Sequence, residues 1–243
     1  MTKDLLWRGM LAGILAALLA TLFARAFAEP QIDLAIGHET AHAGHHAAGN
    51  AAMEEEELVS RETQKGVGLL TALVLYGAAV GGLFALVFAY GYGRLARIGP
   101  RSFSLLLAAA AFVLIVLVPS IKYPQTPPAV GSHDTVGMRT AAYFAMIALS
   151  LGIGLIALRL RTLLTGRMRS FDASVVAAGA YLVLIVLGQL ALPMINEVPA
   201  DYPAVVLWQF RIASLGTQLV LWGAIGLTFG LWAERWLTRC RVR

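Results

Sequence analysis

The residue types most able to do chemistry are histidines, and four of the five lie together. They are His38, His42, His45 and His46, in the run His38-Glu39-Thr40-Ala41-His42-Ala43-Gly44-His45-His46. Neutral imidazole binds Zn, Ni, Cu, Co and Fe, and carboxylates complete such sites. With an ordinary pKa of about 6.5, these rings are mostly neutral and competent at pH 7. Four glutamates, Glu54, Glu55, Glu56 and Glu57, follow on the same stretch. On a helix the four histidine positions would share about 100° of arc. Gly37, Gly44 and Gly49 disfavour a helix without metal, so a flexible arm that orders around a cation is expected. Two plainer readings stand beside this one: a merely solvated polar loop, and an acidic start to the next helix, where negative charge suits the dipole.

A second set of candidates is oxygen-rich. His133 and Asp134 lie in one downstream segment, and Asn196, Glu197 and Asp201 in another. They could form a metal-receiving mouth, or they could pair with Lys122, Arg139 and Arg211; both readings stay open. Residues 38–42 also fit HExxH, the zinc-protease helix motif. The extended metalloprotease pattern fails, because His45 stands where it needs glycine and Ala48 where it needs a third histidine. A short Ala/Gly/His-rich segment also leaves no room for a substrate cleft. The chain is therefore not expected to be an enzyme, and a membrane metalloprotease is the weakest alternative.

These residues must be positioned by an unusually apolar chain. Of 243 residues 58% are hydrophobic and only 14% charged, against about 25% charged in soluble domains. A bilayer core of about 30 Å needs about 20 apolar residues per helical crossing. Six stretches meet that length: 9–28, 67–90, 103–121, 140–158, 173–192 and 212–232. The expected fold is all-α, a polytopic membrane helical bundle of six spans forming a single transmembrane domain over 1–243. No loop fits the phosphate-cradling GxxxxGK[ST] pattern, and the single cysteine, Cys240, permits no intrachain disulfide.

Orientation follows from lysine and arginine in the short loops. Thirteen of the 19 fall on the side of both termini, including Arg94, Arg97, Arg101, Arg159, Arg161, Arg167 and Arg169. Both termini are thus expected in the cytoplasm. Three segments fall outside: a His/Glu-rich 29–66, and the Pro/aromatic-rich 122–139 and 193–211. The basic start, apolar stretch and Ala26-Phe27-Ala28 also resemble a cleavable signal peptide, which would leave five spans. The apolar stretch exceeds the usual signal core of about 7–15 residues, which favours a retained helix. A net charge of +5 then reports orientation rather than nucleic-acid binding.

All histidines lie outside the spans, so no span offers an axial haem ligand. Polar residues inside them are few: Thr71, Tyr76, Tyr143, Ser150, Tyr181, Gln189, Ser214, Thr217 and Gln218. Such groups face a bundle interior, either conducting an ion or bonding between helices. Small residues four apart, Gly9/Gly13, Gly77/Gly81 and Gly226/Gly230, predict close helix packing. Pro119 is expected to bend or end the third span.

The chain resembles the CbtA family, proposed cobalt transporter subunits associated with vitamin B12 biosynthesis in bacteria. The likeness runs through Glu29-Pro30-Gln31-Ile32-Asp33-Leu34-Ala35-Ile36 ahead of the histidines, and through Lys122-Tyr123-Pro124 with Pro127-Pro128-Ala129-Val130-Gly131. It continues in Asn196-Glu197-Val198-Pro199-Ala200-Asp201 and Phe210-Arg211-Ile212-Ala213-Ser214-Leu215-Gly216-Thr217-Gln218. The resemblance implies cobalt as the cargo, with no permanently bound cofactor, and a small single-span, histidine-bearing companion like CbtB. It carries no ligand set, so the candidate metal residues remain His38, His42, His45, His46, His133, Asp134, Glu197 and Asp201. The expected function is a divalent-metal importer subunit that gathers the ion outside and passes it through the bundle. The alternative from another class is a non-transporting scaffold or metal sensor that docks a separate permease.

Overall fold

The computed structural model describes residues 2–46, 68–95, 98–127, 130–131, 133–199 and 202–241. Among them every regular element is helical. In a bilayer no water satisfies the backbone, so apolar segments of this length close their hydrogen bonds internally. The helices are α1 (Thr2–Phe27), α2 (Glu29–His46), α3 (Leu69–Gly91), α4 (Pro100–Lys122), α5 (Val136–Leu164), α6 (Ser170–Ala191) and α7 (Ala204–Arg241). All but α2 are long and apolar enough to cross a membrane, so the six-span expectation holds. The 38 residues of α7 make it about 57 Å long at 1.5 Å per residue, well beyond a bilayer core. Trp208 and Phe210, expected in a loop, therefore sit on its first turns.

Two compact units form: Met1–Ala110 with Pro127–Ala129 and Ala204–Arg243, and Ala111–Thr126 with Val130–Pro203. In the first, small residues are inside and large ones outside. Ala12 and Ala16 are fully buried, whereas Leu22 and Leu75 are two-thirds exposed. That inversion suits lipid, where apolar side chains gain nothing by leaving the surface and close backbone approach drives association. Gly9 and Gly13 of α1 meet Gly77 and Gly81 of α3, as their spacing predicted. A Cβ on Gly77 would lie 2.6 Å from the Gly13 carbonyl oxygen and 2.8 Å from Ala17 Cβ. On the third glycine pair, α4 packs against α7: a Cβ on Gly226 would meet Ala108, and Ser104 Oγ donates to the Gly226 carbonyl at 2.8 Å. Aromatic rings fill the space beside it, with Phe88 stacked on Tyr92 and edge-on to Phe229.

In the second unit, Met146 and Ile153 of α5, Ile185 of α6 and Val118 of α4 make the core. Pro119 neither ends the helix nor leaves its register intact. The turn before it, Phe112–Leu117, widens into a π-helix, and the chain then continues to Lys122. Proline has no N–H to give to the carbonyl four residues back, and its ring crowds that carbonyl. Widening the preceding turn accommodates both within a bilayer. Ser120 Oγ donates to the Val116 carbonyl at 2.6 Å and supplies one local hydrogen bond.

Candidate functional site

The histidine segment is helical where a flexible arm was expected. The backbone from Glu29 to His46 is one α-helix, Gly37 and Gly44 included. It starts directly from α1: Ile32 N–H and Gln31 N–H both donate to the Ala28 carbonyl at 3.1 Å. Ala28 and Ala35 are buried, so tertiary packing offsets a glycine cost of about 1 kcal/mol each. The four histidine positions consequently share one face. The side chains of His38, His42, His45, His46 and His133 lie outside the described residues, as do Glu54–Glu57 and Asp201.

The second unit brings part of the oxygen-rich set together, but around an arginine. Arg139 Nη1 lies 3.1 Å from Glu197 Oε2 and donates to the Val130 carbonyl at 3.4 Å. Gly131, at φ +122°, lets the loop backbone pass beside this pair; a Cβ there would stand 2.8 Å from Glu197 Oε2 and run into the guanidinium. Of the two readings left open for Glu197, ion pairing is the one this geometry realises, and Arg139 is its partner. Asp134 is exposed on a 3₁₀ turn, His133–Thr135. Tyr123 donates to the Pro193 carbonyl at 2.8 Å and ties one loop to the other, and partial burial pushes its phenol above its usual pKa. Among the described residues, no three His, Cys, Asp or Glu side chains converge.

The intramembrane polar residues divide between the units. In the second they bond between helices: Ser150 Oγ and Tyr181 Oη lie 2.9 Å apart, and Gln189 Nε2 donates to the Val118 carbonyl at 3.4 Å. In the first, Tyr76, Thr217 and Gln218 converge on a cavity of about 430 Å³. They are joined there by Thr21, Arg25, Glu29 and Asp33. Reading along the chain missed Thr21, Glu29 and Asp33 as site residues. The available signal was two carboxylates four apart immediately after an apolar span, which places both on one helical face. At 100° per residue that face is turned about 170° from the centre of the histidine stripe. The acids thus line the cavity, and the histidine positions occupy the opposite side of α2.

A family model described as "Probable cobalt transporter subunit (CbtA)" matches residues 2–234, nearly the whole chain. No curated protein and no solved structure matches.

Proposed function

Since the chain belongs to the CbtA family of probable cobalt transporter subunits, we propose that it imports a divalent transition metal, Co²⁺, across the bacterial inner membrane. The observation that carries this reading is the family match over six helices long enough to cross a bilayer. Both termini face the cytoplasm, in keeping with the arginine-rich stretches 92–102 and 159–169 at the span ends. The 29–66 segment then stands outside. There the His38, His42, His45 and His46 stripe gathers the ion, and Glu54–Glu57 raise its local concentration. His133, Asp134 and Asp201 supply further outside ligands, with Glu197 reserved mainly for Arg139. No span carries an Asp, Glu or His relay, which supports facilitated passage or drive from a companion such as a single-span, histidine-bearing subunit.

Replacing all four loop histidines with alanine is expected to lower Co²⁺ uptake by cells at limiting external metal and to spare it at high metal. Uptake unchanged at both concentrations removes the histidines from the mechanism. Reconstitution in liposomes separates the roles: flux through the chain alone makes it the conducting subunit.

A further inference from the structure

The cavity in the first unit has a mouth, a wall and a floor. Arg25 and Asp33, both exposed, and Glu29, half-buried, mark the mouth where α1 hands over to α2. The wall carries Thr21, Tyr76, Thr217 and Gln218. Ala17, Ala20 and Leu221, all buried, make the floor. From Ala28 to Ala17 the helix descends about 16 Å at 1.5 Å per residue, half of a bilayer core of about 30 Å. Immediately below, the contact of Gly13 and Ala17 with Gly77 closes the way. With α1 crossing a bilayer, a cavity of this depth ends near mid-membrane.

Ala24, Ile32 and Leu73 make much of the wall apolar, and among its polar groups the two threonines present acceptors. Thr21 Oγ1 gives its proton to the Ala17 carbonyl at 2.7 Å, and Thr217 Oγ1 gives its own to the Ala213 carbonyl at 2.9 Å. Each hydroxyl oxygen is left with lone pairs for whatever fills the cavity. The mouth bears two carboxylates to one guanidinium, a net negative rim. A volume of about 430 Å³ far exceeds the ~15 Å³ one water needs, so the cavity has room for an ion with its first water shell. We infer that this cavity is the outward-facing vestibule for a hydrated divalent cation. Glu29 and Asp33 concentrate the ion, and the Thr21 and Thr217 oxygens with the Gln218 amide receive its water shell. The inference rests on the cobalt-import reading for its cargo and for the side of the membrane it faces.

Thiol accessibility tests it on the full-length protein in intact cells. With Cys240, the one cysteine, replaced by serine, single cysteines are placed at Thr21 or Thr217, and at Ala20 as a second reporter. Ile225→Cys, at a fully buried position, is the control. A membrane-impermeant cationic thiol reagent added outside should modify positions 21, 217 and 20 but not 225. It should react about tenfold faster than an anionic reagent of the same size. Co²⁺ should slow that reaction, and the Glu29→Gln/Asp33→Asn pair should abolish both the charge preference and the protection. No labelling from outside, equal rates for the two reagents, or protection that survives loss of both acids overturns the vestibule. Cobalt uptake by the Cys240→Ser parent, measured in the same cells, separates the two readings. Uptake with failed labelling sinks the vestibule alone, and no uptake even when the single-span companion is co-expressed sinks the import reading.

Discussion

Gly77→Ala puts the smallest possible perturbation, one methyl group, at the glycine contact between α1 and α3. Its Cβ would stand 2.6 Å from the Gly13 carbonyl oxygen, 2.8 Å from Ala17 Cβ and 2.9 Å from the Gly13 carbonyl carbon. Carbon atoms rest at about 3.5–4.0 Å, so α1 and α3 must separate by about 1 Å. Both sides of the contact are backbone or a methyl group, and neither can rotate aside. Overpacking of this kind costs about 1–3 kcal/mol. Alanine also improves helix propensity by up to ~1 kcal/mol, which partly conceals the cost. Gly223→Ala removes that ambiguity, because it too lies within a helix and a Cβ there meets nothing within 4 Å. The propensity gain cancels between the two variants, leaving the contact alone. In reversible SDS unfolding from mixed micelles, Gly77→Ala should be the less stable by about 1–3 kcal/mol, a factor of ~5–150 in the unfolding constant. Equal stability of the pair, to within about 0.5 kcal/mol, would refute glycine-mediated packing of α1 on α3.

The Arg139–Glu197 pair, partly exposed at its arginine end, should show a coupling of about 0.5–1 kcal/mol in a double-mutant cycle with glutamine at each position. Additive losses would mean that the pair does not hold the loop. Tyr123 should make stability fall at alkaline pH. Its folded-state pKa is raised above the unfolded value, so its contribution is whole below about pH 10 and is lost as pH rises through the raised value. Tyr123→Phe, which has no proton to lose and no bond to Pro193, should flatten that alkaline limb of the stability–pH curve. An identical limb in the variant would assign the loss to another group.

The six spans could be read from the chain because the bilayer acts on each segment separately. Length and apolarity of 103–121 or 173–192 suffice, since every backbone group must be satisfied within its own helix. The glycine pairs were legible for a similar reason: spacing four in a span has few uses other than close packing. What the chain order left open is helix rotation and partner choice. Glu197 had Lys122, Arg139 and Arg211 as possible cations, and the turn at Gly131 delivered Arg139. Pro119 allowed a bend or an end, and the helix instead runs on through a widened turn in which Val116, Val118 and Ser120 are buried. Thr21, Glu29, Thr217 and Gln218 come from helices nearly 200 residues apart, and each alone looks like an ordinary polar residue. They face one cavity because small residues on α1, α3 and α7 fix how those helices are turned. That rotation is a property of pairs of surfaces, which no single segment encodes.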